Sequence, residues 1–154
     1  MNAAQFFDHW NTVHRDFMRA VALLEDEDLA YLPSPAYSRT IGGILRHVIN
    51  LENGWIHYVI RRALPEWPDE REEELNSVEV LRKELDRTFD ETMDYLKTIP
   101  VDDFNRIVQV PNDGIPKLGW ILWHVFEQKI HHRGEIFLCL SLLGKPRPTI
   151  DRPE

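Results

Sequence analysis

Three of the chain's seven histidines, His124, His131 and His132, fall within the stretch HVFEQKIHHRGEI, at residues 124–136. They stand among apolar residues at helical spacing. An imidazole on a core-facing helix needs partners for its ring nitrogens, so hydrogen-bonded core residues, a metal site and acid–base chemistry are the chemistries to weigh. At 100° per residue, His124, Gln128, His131, His132 and Glu135 lie along one face of a helix. Gln128 and His132 are one turn apart, the spacing at which two helix-borne side chains grip one ion. His124 and His132 are two turns apart, roughly 12 Å along the axis, too far to share it. His131 is one residue off this register.

A third ligand must come from another helix. His47 is the best candidate, because Ile44, Leu51 and Gly54 share its inner side and Gly54 leaves room beside it. His9 and His14 flank the stripe of the first helix, and His57 lies toward the edge of the second. Each of these three reads as a surface or hydrogen-bonded histidine.

The elements that must position these residues are four amphipathic helices. Phe6, Trp10, Val13, Phe17, Val21 and Leu24 advance by three or four and predict a first helix from Gln5 to Leu24. Thr40 caps a second, striped by Ile44, Val48, Leu51, Trp55 and Val59 and ended by Pro65 and Pro68, with Gly42 and Gly43 allowing close packing in its first turn. Ser77 caps a third, with Val78, Leu81, Leu85, Phe89, Thr92 and Leu96 inward and Pro100 closing it. The fourth runs from about Leu118 to Leu143, with Gly144 beyond its end and Pro146 preventing continuation. No strong strand intervenes, so the fold class is all-α, a four-helix bundle with sites built from facing helices.

Two connections, from about Ala63 to Asn76 and from about Thr98 to Lys117, are longer than neighbouring antiparallel helices require, and such loops often cover a site. PEWPDEREEEL reads as a solvated acidic connection. RIVQVPNDGIPKL has short β-like character with a turn at Asn112, Asp113 and Gly114. Trp55, Trp120 and Trp123 read as core residues, Arg133 as the partner of a nearby acid, and Gly134 as a point of close helix contact.

The 154 residues suit one domain, 1–154, and the net charge of −8 without a basic stripe argues against nucleic acid. Cys139, the only cysteine, sits in an apolar run and reads as a buried thiol, which excludes an internal disulfide. No stretch is long and apolar enough for a membrane span, and the expectation is a cytoplasmic protein acting on a small molecule.

The segments IGGILRHVINLENGW and LGWILWHVFEQKIHHRGEIFLCLSLLGKPRP resemble the helix-two and helix-four blocks of the DinB/YfiT-like superfamily of four-helix metalloenzymes. That family's pattern is a histidine in helix two and H-x-x-x-H-R-G-Q in helix four. The resemblance implies metal ligands at His47 and His132, with Gln128 where the family has its second histidine. Glu135 stands in place of the glutamine of HRGQ, and Glu52 at a usual acidic position. An amide oxygen is a weaker donor than imidazole, so a His47, Gln128, His132 site should hold zinc or nickel less tightly.

The resemblance further implies a thiol-dependent transferase, or a hydrolase-like activity, on a small electrophile. Its nucleophile would be an external low-molecular-weight thiol, such as bacillithiol or mycothiol, or a metal-bound water. Glu52 or Glu135 would orient ligands or move protons, and a homodimer is expected. The alternative is a metal-free bundle, structural or ligand-binding, in which Gln128 hydrogen-bonds His47 or His132.

Overall fold

The computed structural model describes residues 1–111 and 114–150. Its helices are α1 (Ala3–Phe6), α2 (His9–Val21), α3 (Ile41–Glu52), α4 (Val78–Leu96) and α5 (Leu118–Leu142). Three short helices accompany them: 3₁₀ turns at Asp26–Ala30 and Val101–Asn105, and a π-helix, Asn53–Ile60, that continues α3 without interruption. Among the described residues there is no strand, and the bundle is all-α as the periodicity predicts. No helix of the described residues is long and apolar enough to cross a membrane.

Local chemistry sets most of the helix ends. The Thr40 hydroxyl accepts the Gly43 N–H at 3.1 Å and the Ser77 hydroxyl accepts the Val80 N–H at 3.3 Å, each supplying a first-turn donor with the acceptor it lacks. At the end of α5 Gly144 takes φ 71°, a left-handed conformation that glycine adopts without a Cβ clash. The first helix departs from expectation, because α1 and α2 are separated at Phe7–Asp8. Asn2 and Gln5 form a capping box, and the Ala3 N–H bonds the Ile99 carbonyl at 2.7 Å, tying the N-terminus to the end of α4. The break turns Phe7 into the core and leaves Phe6, the expected stripe residue, exposed.

The continuation of α3 also departs from a regular α-helix. Hydrogen bonding from i to i+5 turns each residue through less than 100°. His57, which α-helical spacing puts at the edge, therefore comes round to face α4 and is buried. The turn contains Gly54, and a Cβ there would lie 2.3 Å from Cζ2 of Trp67. The space left by Gly54 is thus filled by an indole, so the room expected at Gly54 is closed.

That indole belongs to the connection between the π-helix and α4, which is strapped across α3 and is not merely solvated. Trp67 Nε1 donates to Asn50 Oδ1 at 3.0 Å, Asn50 Nδ2 donates to the Pro68 carbonyl at 2.5 Å, and Leu75 is buried. The second connection carries an isolated bridge between Ile107 and Lys117, and the Val108 N–H bonds the Pro116 carbonyl at 2.9 Å, which accounts for its β-like pattern. Asn112 and Asp113 of the expected turn lie outside the described residues.

The core divides into two apolar halves. One gathers Phe7, Trp10, Val13, Ile56, Phe89, Ile121 and Phe126, and the other Phe17, Ile44, Leu45, Leu81, Leu85, Ile136 and Leu140. Between them every bundle helix contributes a buried polar residue: His14 from α2, Glu52 from α3, Thr88 and Thr92 from α4, and Lys129 and His132 from α5. Cys139 is buried, as expected.

Candidate metal centre

α3 and α5 pack against each other, and their antiparallel register is marked by three pairs. The rings of His47 and His132 have centroids 5.0 Å apart at 88°, Glu52 accepts a hydrogen bond from Lys129, and the rings of Trp55 and His124 lie 5.8 Å apart. From His47 to Trp55 is eight residues along α3 and its π-helical continuation, and from His132 back to His124 is eight along α5. This register sets Leu51 opposite Gln128, so His47, Leu51 and Trp55 face His132, Gln128 and His124 along one half-buried seam.

At one end of the seam the two imidazoles are arranged alike. His132 Nδ1 lies 2.5 Å from Glu135 Oε1, and His47 Nδ1 lies 3.6 Å from Glu70 Oε1, the second distance longer than a hydrogen bond. A carboxylate accepts only, so with Glu135 ionised Nδ1 of His132 carries the proton and Nε2 the lone pair. That Nε2 is buried and has no hydrogen-bond partner among the described residues. A carboxylate behind Nδ1 that leaves Nε2 unengaged is the usual setting of a metal-ligating histidine. Two rings holding one ion at about 2.1 Å have centroids no more than roughly 6.5 Å apart, so the 5.0 Å separation fits a shared ion.

The electrostatics keep both rings neutral, the form that ligates. Burial, followed by the charges of His47, His131 and Arg39, lowers the His132 pKa to about 3. Burial and Arg39 also lower the His47 pKa, with Glu70 opposing them. Burial raises the Glu135 carboxyl.

Gln128 is half-buried one turn from His132 and makes no hydrogen bond to His47, His132 or any other described residue. His131, set aside on register, lies close to the site: its Nε2 is 3.2 Å from Glu135 Oε1. The ligand atoms of His131, His132 and Glu135 all fall within 4.8 Å of one another, close enough to hold one ion. The side chain of His131 is 62% exposed and that of His132 6%.

Glu52 stands away from the histidine pair, in the buried middle layer. Lys129 Nζ donates to its Oε1 at 2.6 Å and Thr92 Oγ1 to its Oε2 at 3.1 Å, while His57 Nε2 lies 3.4 Å from the same hydroxyl. Lys129 Nζ also sits 4.7 Å from the centroid of Phe89. Burial lowers the lysine pKa and the Glu52 carboxylate opposes that shift. Beside this pair, His14 stacks on Phe89 at 3.9 Å and its Nε2 lies 2.8 Å from Asp86 Oδ1.

Of this layer the sequence points to Glu52 and Thr92 but not to Lys129, the buried partner of Glu52. Lys129 follows Leu122 and Val125 and precedes Ile136 and Leu140 at core spacing, which was the available signal. Nor does the sequence point to Glu70, which only the strap's path brings to His47. Arg133 does pair with an acid, Asp16, at 3.4 Å. Gly134 faces open space, with nothing within 4 Å of a Cβ placed there, so it makes no close helix contact. Trp120 and Trp123, expected in the core, are 53% and 51% exposed because they lie on the outward side of α5. Trp120 stacks on His124 at 4.9 Å, and Trp55 is half-buried against both.

Solved structures share this architecture. A DinB-like protein from Bacillus cereus superposes with a TM-score of 0.79 over 97% of each chain at 14% identity. The DinB-like protein YjoA from Bacillus subtilis gives 0.75 over 97% of this chain and 99% of its own at 13% identity. A conserved protein from Enterococcus faecalis gives 0.67 over 94% and 99% at 16% identity. At such identities the likeness concerns the fold. Among curated proteins none matches the chain. The sequence pattern of the DinB family matches residues 1–154, the whole chain. Its helix order, the histidines facing each other across α3 and α5, and that match together make the chain a member of the DinB family.

Proposed function

We propose that the chain is a metal-dependent enzyme in which His47, Gln128 and His132 hold one divalent cation, zinc or nickel, and that it transfers a low-molecular-weight thiol to a small electrophile. The observation that carries this reading is the buried Nε2 of His132, without a hydrogen-bond partner among the described residues and set beside His47. A buried lone pair left without a donor is unfavourable unless something else engages it.

His47, Gln128 and His132 would hold the cation, which would supply the Lewis acidity that favours loss of a thiol proton at neutral pH. The chain's residues do the rest. Glu135 orients His132 through Nδ1, Glu70 stands behind His47, and Glu52 with Lys129 holds α3 and α5 in register. In the transfer the thiol loses its proton to solvent, a sulfur–carbon bond forms and the carbon–leaving-group bond breaks, the leaving group departing with that bond's electrons. Hydrolysis, with water in place of the thiol, uses the same arrangement. The net charge of −8 supports a small-molecule substrate over nucleic acid.

A second reading rests on His131, His132 and Glu135 as the ligand set. It would take Glu135 away from its orienting contact with Nδ1 of His132 and would leave His47 outside the ligand set. A metal-free bundle held by Gln128 hydrogen bonds finds no support in the contacts of Gln128. The test is single-turnover thiol consumption with 1-chloro-2,4-dinitrobenzene by untagged protein, with zinc or nickel and after chelation. Metal-dependent conjugation abolished by His132→Ala is expected, and rates equal to free thiol under all conditions would refute the proposal.

A further inference from the structure

The cation that acts on both histidines, Arg39, makes no ion pair among the described residues. Arg39 immediately precedes the cap of α3, and its stem lies against Gly43, where an added Cβ would stand 3.4 Å from its Cβ and 3.7 Å from its Cγ. Gly43 is one turn before His47, so the half-buried Arg39 lies beside α3 on the N-terminal side of His47. Its positive charge acts on His47 and His132 alike.

Other arginines that are at least partly buried have acceptors. Arg46 pairs with Glu72, Arg71 with Glu84 and Arg133 with Asp16. Arg39 makes no hydrogen bond or ion pair with any described residue. The carboxylates nearest the histidines are turned elsewhere, Glu70 to His47 and Glu135 to His132 and His131.

A positive charge beside a cation site opposes the cation. None of the guanidinium nitrogens is a buried atom lacking a partner, so its donors can turn to an incoming acceptor. An anionic group arriving with the ligand offsets the charge and takes those donors. Two parallel N–H donors of a guanidinium match the two oxygens of a carboxylate.

We propose that Arg39 is the specificity-determining residue of this site, and that it receives a carboxylate on the thiol or substrate held at His47 and His132. The inference rests on the metal-site reading and narrows the ligand to small molecules bearing a carboxylate close to the reacting sulfur or carbon.

The test compares 3-mercaptopropionate with 2-mercaptoethanol, thiols of similar reach that differ in charge, on untagged wild type, Arg39→Met and Arg39→Lys. In metal-free protein, titrations are followed by the imidazole NMR signals of His47 and His132. In cobalt-loaded protein, affinities are read from the sulfur-to-cobalt charge-transfer band. Wild type should bind the carboxylate thiol about tenfold or more tightly than the alcohol, the size of one charge-assisted interaction. Arg39→Met should lose that preference, the affinity falling more for the carboxylate thiol than for 2-mercaptoethanol, and Arg39→Lys should keep part of it. Arg39→Met should also bind cobalt alone more tightly at low ionic strength.

Equal binding of the two thiols by wild type, or an undiminished preference in Arg39→Met, overturns the proposal. If cobalt fails to bind while the metal-free protein still discriminates through Arg39, the metal reading fails and the carboxylate site stands. If cobalt binds without discrimination, the outcome is the reverse.

Discussion

Lys129 Nζ donates a hydrogen bond of 2.6 Å to Glu52 Oε1, with the two side chains 2% and 3% exposed. This pair links α3 to α5 in the layer that divides the core, between the Trp55–His124 contact and the histidine pair. A buried ion pair adds little net stability, but removing one partner strands the other charge.

Lys129→Met is therefore expected to destabilise the fold by about 3–5 kcal/mol, since Glu52 would keep only Thr92 as a donor. Adding Glu52→Gln to Lys129→Met should recover about half of that loss or more. Urea denaturation of the two single variants and the double variant measures the coupling. Additive losses would show that the pair does not act as a unit.

Stability should fall as pH drops below about 6.5, above the range in which ordinary carboxyls titrate. Burial, then the Lys129 charge, lowers the His14 pKa to about 2, although Asp86 Oδ1 lies 2.8 Å from its Nε2. Between about 2 and 6.5 the unfolded state binds a proton at His14 that the folded state refuses. Stability is thus complete above pH 6.5 and declines toward acid, by about 2 kcal/mol at pH 5 from this one group. Denaturant unfolding of His14→Phe should show a shallower decline from pH 7 to 5 than wild type. An unchanged slope would mean that His14 takes up a proton in the folded chain.

The helix ends were legible because they are local. Thr40, Ser77 and Gly144 carry their instruction in their own chemistry, the register of His132 with Gln128 is legible in helical spacing, and His47 is legible in its apolar neighbours and in the resemblance to the family. The π-turn had no such signature, since its widening accompanies contact with Trp67, a residue beyond the helix. A period near 3.6 accepts either Phe6 or Phe7 and so could not show the break before α2. Trp120 and Trp123 were misplaced because large apolar residues need not be inside. Lys129 was overlooked through the opposite assumption, that a lysine stays solvated.

The strap over α3 should depend on one glycine. Gly54→Ala would bring a methyl group to 2.3 Å from Trp67 Cζ2 and force the indole off. Trypsin should then cut at Arg61, Arg62 or Arg71 at least several-fold faster than in wild type, and Trp67→Ala should behave alike. Equal digestion rates would show that the strap is held without Trp67.

The two ligand sets make opposite demands on His131. If Nε2 of His132 points to the ion, His131→Ala should leave metal affinity within about twofold, while Glu135→Ala weakens it about 10–100-fold through the lost orienting contact. Isothermal titration with zinc checks both. A loss in His131→Ala as large as that in His132→Ala would favour His131, His132 and Glu135 as the ligand set.

The most direct test of the metal centre is the stoichiometry and affinity of zinc and nickel for the untagged chain and its His47→Ala, His132→Ala and Gln128→His variants. One equivalent is expected for wild type, none for either alanine variant, and at least tenfold tighter binding for Gln128→His. Wild type that binds no metal, or His47→Ala that binds as wild type does, would contradict the account.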